Sequence, residues 1–548
     1  MELRSKERLI VLLVACVLAV ALTWPVAAHF ASAGRLDTGD GRYSIWNVAW
    51  VARALTTDPW ELFQANIFHP HENALAFSEA NLVAGVMAVP VWLLTTNALA
   101  ASNWTILCSF ALSFFTTYLL VRRLTGSVAG AAIAALHFAY SPFVFAHIPH
   151  VQLLMTFPLP LVMLMLHGFV EAPALRRAVA LGAALALQAL ASGYYGFFAG
   201  LVTALGIVWL GVAFGHWRSA RYWVLSATAA VVAVAIVAPF FLPYLGVRED
   251  GFARTLEDTR LHSVRWRAYL ASPILVHRWM LPLIGSWREV LFPGFLPIIF
   301  TIVAISRSVG SRPESVPMRG RVLGFYLAVA AMGFWASLGP DAGLYRALYE
   351  VVPFFEMLRA PARFGLLVTF ALAVLCGVGF ASVERVLGGR KRRVVVAAVL
   401  SLAVARSTVG GLAVTEAPPM PIAYKRLKDL PPAPVFEFPY YQAQHDRHRN
   451  TEYMVWSTFH WKPLINGYSD HTPRGALQDM ARLAGFPDAQ SRQLLRDRGA
   501  RYVLVHWHAF ETETERRDLQ IAIRREPTLR LVVERDDISL YEILAMGQ

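Results

Sequence analysis

The run LVAGVMAVPVWLLTT, residues 82–96, is apolar throughout but shorter than other such runs in the chain. A helix needs roughly 20 apolar residues to cross the hydrocarbon of a bilayer. Whether this run crosses determines the side of the membrane on which everything after it falls. Runs of sufficient length lie near 9–30, 103–121, 128–146, 150–170, 178–192, 194–214, 221–244, 290–306, 320–338, 362–388 and 393–413. Short basic connections occur at Arg122-Arg123, Arg176-Arg177, Arg218 and Arg221, Arg307 to Arg321, and Arg390-Lys391-Arg392-Arg393. Basic short loops stay in the cytoplasm. With Arg4, Lys6 and Arg8 they alternate correctly only if 31–102 lies wholly outside. The 82–96 run is then expected to be re-entrant or interfacial. The expectation is about eleven crossings, with the N-terminus inside and the C-terminus outside.

Composition agrees. Of 548 residues, 56% are hydrophobic and 16% charged, with a mean hydropathy of +0.46. Soluble domains carry about 25% charged residues. This excludes a soluble enzyme, a disordered chain and a disulfide scaffold. Cys16, Cys108 and Cys376 all sit in apolar runs, where cysteine is a small packing residue. The net charge is +13, yet 413–548 holds 18 basic and 18 acidic residues. The whole surplus therefore lies among the apolar runs. That fits membrane edges and not a nucleic-acid surface. The N-terminus resembles a signal peptide, with Ala31-Ser32-Ala33 after the apolar run. Its apolar core is too long for a typical signal, so a retained first helix is expected.

Residues 413–548 change character. Pro418-Pro419 and Pro431-Pro432 mark a linker. Val435–Phe438, Tyr502–Val505, Leu531–Glu534 and Ser539–Ile543 read as short strands, and 474–498 as helical. The fold class expected is mainly α. It is a polytopic transmembrane helical bundle over 1–412 with a large first outer loop, 31–102. A small extracytoplasmic α/β domain follows over 413–548.

The outer face gathers the unusual polar residues. Asp37-Thr38-Gly39-Asp40-Gly41-Arg42 is a flexible acidic turn, followed by helical spacing with Trp46, Trp50 and Trp60 placed for the headgroup region. Helix capping by Asp explains the turn equally well. His69, His71, Glu72 and Glu79 could hold a metal or a phosphate, or form a polar surface loop. The set lacks a defined third ligand, and no metal ligand is assigned. His147 and His150 lie at a helix mouth, either lining a wet cavity or solvated by headgroups. Tyr194 and Tyr195 suit a membrane-interface belt. Arg359 and Arg363 flank an outer helix mouth, where arginine binds phosphate or pairs with Asp341 or Glu356. The 245–289 loop, with seven arginines and five carboxylates including Glu289, reads as a lid or a surface helix. Asn466 to His471 is a turn whose groups could contact sugar or peptide, or an ordinary loop.

With these residues in place, the chain resembles the GT-C superfamily of polytopic membrane glycosyltransferases, specifically its bacterial members. The resemblance rests on the acidic motif Asp37–Asp40, the His69-Pro70 stretch, Ser192–Gly196, Leu358–Phe364, Asn466–Ser469 and the outer C-terminal domain. It implies transfer of a hexosyl or pentosyl group from a polyprenyl-phosphate sugar to a glycan, lipid or protein acceptor of the cell envelope. It further implies residence in a bacterial inner (plasma) membrane, among membrane lipids. Carried over, Asp40 is the first choice for the catalytic carboxylate and Asp37 the second. Arg363 and Arg359 would hold the donor phosphate. His69, His71, Glu79, His150, Tyr194 and Tyr195 would line the cavity. The lipid-linked sugar is a substrate. No second acidic motif follows, so a divalent metal is possible but unsupported. No nucleic-acid partner is expected. A transporter or flippase of a lipid-linked glycan, or a non-catalytic envelope assembly subunit, are the alternatives.

Overall fold

The computed structural model describes residues 5–251, 254–284, 289–309, 317–408, 410–510 and 512–544. The chain divides into two compact units.

The first unit comprises 1–28, 105–241 and 253–412 and is built from helices. Among the described residues, seven helices are long and apolar enough to cross a membrane: Ala98–Thr125, Val128–Ala146, Val151–Glu171, Gly193–Ala213, Ala220–Glu249, Gly320–Ser337 and Pro361–Glu384. The remaining runs read from the sequence are also helical, at Ser5–Leu22, Leu175–Ala191, Phe295–Val309 and Gly389–Arg406. These are shorter or carry charges at one end. Helix Gly365–Glu384 is the centre of the unit, packed against 128–139, 295–309 and 317–337. Close approach depends on small residues. A Cβ on Gly377 would lie 2.7 Å from Gly130 O, and one on Gly379 would meet Phe300 O. By contrast Ala220–Glu249 exposes Val231, Val234 and Leu242 at 63–66%, the apolar surface that lipid covers.

The second unit comprises 29–104, 242–252 and 413–548. The first outer loop therefore groups with the C-terminal segment and not with the helices. Strand β1 (Ala33–Gly34) pairs antiparallel with β2 (Thr415–Glu416). Strands β3 (Val435–Phe438), β4 (Tyr502–His506), β5 (Leu529–Arg535) and β6 (Ile538–Ile543) form one sheet in the order β3-β4-β6-β5, parallel only at β3–β4. All four coincide with the segments expected to be short strands. The 474–498 segment is two helices, Arg474–Leu483 and Ala489–Asp497, because Pro487 removes an amide donor between them.

Helix Gly39–Thr57 is a core element of this unit. Trp46 and Trp50 are 0% and 6% exposed. Trp46 Nε1 donates to Asn66 Oδ1 at 3.0 Å and Trp50 Nε1 to Leu62 O at 2.9 Å. The surface-helix expectation is thus corrected for both, since a buried indole needs its N–H satisfied and finds it in protein. Trp60, 95% exposed, remains on the surface. The 82–96 run forms helix Leu82–Thr95, about 21 Å long at 1.5 Å per residue. It packs on Gly39–Thr57, with Gly85 against Val51.

Candidate functional site

The residues singled out from the sequence divide between the two units. In the first unit they converge around Tyr194, in the first turn of helix Gly193–Ala213. The guanidinium of Arg363 lies over the Tyr194 ring, 4.0 Å from its centroid. The Tyr194 hydroxyl accepts the backbone N–H of Arg359 at 2.9 Å. Arg359 precedes the short helix Pro361–Phe364 and Arg363 lies within it, and that helix leads into Gly365–Glu384. Proline at the first position ends the extended Leu358–Ala360 approach and starts the turn.

Asp341 bonds Arg260 at 3.0 Å, and Glu356 uses its carbonyl to accept from Arg254 N. The acid that sequence reasoning missed is Glu289. Burial raises its carboxyl pKa, opposed by the charges of Arg363 and His150. Only its place, last in an arginine-rich loop, hinted at this. The His147 ring lies tilted against Phe143, 4.3 Å between centroids, and donates Nδ1–H to Phe143 O at 2.7 Å. Burial pulls its pKa down to about 3, so the ring is neutral. The His147 and His150 ring centroids are 6.3 Å apart. The chemistry assembled is a fixed cation on an aromatic face, beside a desolvated carboxyl and two imidazoles.

Tyr195 is fully buried, with its hydroxyl donating to Leu153 O at 3.1 Å. Tyr194 is 8% exposed. The interface-belt reading is corrected for both, because the helix turns these rings toward protein.

In the second unit, Thr38 rather than an aspartate caps helix Gly39–Thr57, accepting from Gly41 N at 3.1 Å. Asp40 is in the first turn, where the helix dipole favours its charge. The glycines are steric. A Cβ on Gly39 would lie 2.8 Å from His448 Cβ, and one on Gly41 would strike Arg35 O. Asp37 takes Arg35 in a two-bond fork, both at 2.9 Å, and that bond lowers its pKa. His69 and His71 are half-buried, and burial pulls both pKa values down. Glu79 lends its carbonyl to Asn47 Nδ2 at 3.3 Å. Among the described residues no group of three or more His, Cys, Asp or Glu is placed to hold a metal ion.

The turn 466–471 is largely structural. Asn466 Oδ1 accepts from Glu437 N and its Nδ2 donates to Glu437 O, both at 2.8 Å, and its carbonyl accepts from Phe68 N at 3.0 Å. The amide thereby ties strand β3 to the 66–69 segment.

No protein-family model and no curated protein matches the chain. Several solved structures are similar to it. One is the oligosaccharyltransferase of Archaeoglobus fulgidus in the apo form, at 13% identity and a TM-score of 0.45, covering 92% of this chain and 70% of that one. Another is ArnT from Cupriavidus metallidurans in the apo state, at 14% identity and a TM-score of 0.40, covering 98% of each chain.

Proposed function

We propose that this integral membrane protein is a GT-C-type glycosyltransferase that moves a sugar from a polyprenyl-phosphate donor to an envelope acceptor on the extracytoplasmic face. One observation carries the reading: Arg363 is fixed over Tyr194 at the mouth of helix Pro361–Glu384. There a permanent, forked cation meets a membrane-anchored ligand. In the reaction the bond from the sugar carbon to the phosphate oxygen breaks and a bond to the acceptor oxygen forms. The departing phosphate carries the negative charge, which a guanidinium stabilises. Arg363 takes that role and Arg359 assists. The acceptor hydroxyl loses its proton to a carboxylate, assigned to Asp40. Asp37 is set aside as base because Arg35 occupies it. His150 and Tyr194 shape the phosphate region. Asp40 and Arg363 are assigned independently, each from its own surroundings.

The test is mass spectrometry of envelope glycans and polyprenyl-phosphate sugars. The strains are a deletion strain carrying wild type, Asp40→Asn or Arg363→Ala. A sugar missing from the glycans with its donor accumulated, restored by wild type alone, is the expected result. Unchanged glycans in the deletion strain would favour a transporter or an assembly subunit.

A further inference from the structure

The second unit carries a half-open cleft of about 270 Å³ that the transfer reaction above does not use. Its floor is apolar, made by Phe77, Pro243 and Val247. Its rim is charged, with Glu72, Asp250 and Arg474 among the lining residues. Two contacts hold the rim in place. Asp250 Oδ2 is 2.7 Å from His471 Nε2, and the His471 ring meets Phe77 edge-on at 5.8 Å. Glycine backbone brings the walls close. A Cβ on Gly475 would lie 2.7 Å from His71 Cε1, and one on Gly251 would lie 2.6 Å from Arg474 Nη2. Among the described residues neither Glu72 nor Arg474 has an ion-pair partner.

Three properties define the occupant. The volume falls just under the roughly 300–1,000 Å³ of drug-sized pockets, which limits it to about one ring. Two carboxylates beside one guanidinium disfavour an anion and offer both acceptors and donors, which suits an occupant bearing hydroxyls rather than a net charge. An apolar floor beneath a rim of acceptors and forked donors suits a molecule with a C–H face and hydroxyls around its edge. We propose that this cleft binds a single neutral sugar ring. Its C–H face lies on Phe77 and Val247, and its hydroxyls bond to Glu72, Asp250 and Arg474. The site is one of binding, with no bond made or broken.

The experiment is saturation-transfer NMR on the full-length protein in detergent micelles. The probes are the methyl glycosides of glucose, galactose, mannose and arabinose. The deciding variant is Gly246→Leu. Gly246 lines the cleft, and a Cβ there meets nothing within 4 Å. Leucine is also a better helix former than glycine, so the variant folds and fills the cleft. At least one glycoside is expected to take up saturation from wild type and to lose at least fivefold of it in Gly246→Leu. Arg474→Ala should weaken the same signal. No uptake by any glycoside, or equal uptake by wild type and Gly246→Leu, overturns the proposal. So does broadening of the inorganic phosphate line by wild type but not by Gly246→Leu, since the cleft would then be an anion site. Binding is read without turnover, so a chain that proved to have no transferase activity would leave this result intact.

Discussion

Arg363 and Tyr194 form one unit: the guanidinium sits 4.0 Å above the ring centroid, while the hydroxyl of that ring accepts the N–H of Arg359 at 2.9 Å. The ring positions the cation, and the hydroxyl positions the backbone that carries it. Tyr194→Phe keeps the first contact and loses the second. A hydrogen bond contributes about 1 kcal/mol, so transfer should fall about fivefold. Tyr194→Ala also loses a cation–π contact of about 0.5–2 kcal/mol and should fall further. The rate at which the missing envelope sugar reappears after induction measures both. Equal losses would show that the ring under Arg363 is immaterial.

The two aspartates of the first outer loop should behave differently. Asp37 is exposed and held by Arg35, whereas Asp40 sits in the first helical turn. Asp37→Asn should leave transfer within about fivefold, because an exposed ion pair contributes only about 0–1 kcal/mol. Asp40→Asn should abolish it. The same glycan readout checks the pair, and the reverse ranking would move the base to Asp37.

His147 supplies a pH prediction. In the unfolded chain its imidazole takes a proton near pH 6.5. In the fold, burial holds that step down to about 3. The unfolded state therefore binds more protons between these values, and stability is lost as pH falls from about 6.5 toward 3. The slope from one such group is at most about 1.4 kcal/mol per pH unit. Thermal unfolding of wild type minus His147→Gln, followed from pH 7 to 4, should show this decline. A difference flat with pH would mean that the imidazole protonates in the fold.

Two glycines test the helix packing. Gly377→Ala places a methyl 2.7 Å from Gly130 O, and overpacking of this kind costs about 1–3 kcal/mol. At Gly200 a Cβ meets nothing within 4 Å, so Gly200→Ala should stabilise by up to about 1 kcal/mol. Thermal stability in detergent should separate the two in opposite directions.

The orientation is tested by single cysteines in a background lacking Cys16, Cys108 and Cys376. Val351 is 79% exposed in the segment expected outside. Ala172 is exposed in a connection expected inside. An impermeant thiol reagent on intact cells should modify Val351→Cys and spare Ala172→Cys. The reverse pattern would place the Arg363 group in the cytoplasm and defeat the proposed reaction.

The helices, the β3–β6 strands and the convergence of Arg359 and Arg363 near a helix mouth were readable because each follows from local chemistry. Apolar run length, short stretches of strand-forming residues and the proline at 361 act within a few residues of the positions they govern. Tyr195, Trp46 and Trp50 were misjudged for one shared reason. Each has a polar atom and an apolar body, and sequence shows only that such a group needs a partner. It does not show whether water, lipid or a distant carbonyl provides it. For Asn466 likewise, the partners are Glu437 and Phe68, 29 residues and far further along the chain.

By itself, then, the sequence determined a membrane-embedded, mainly helical chain with a small sheet-bearing C-terminal segment, because burial of apolar runs is dictated by the runs themselves. Only the tertiary structure decided that 31–102 groups with 413–548, that Tyr194 carries Arg363, and that Glu289 is desolvated near that cation. These depend on which surfaces meet across long stretches of chain, and the free energy of such meetings resides in packing that no local pattern encodes.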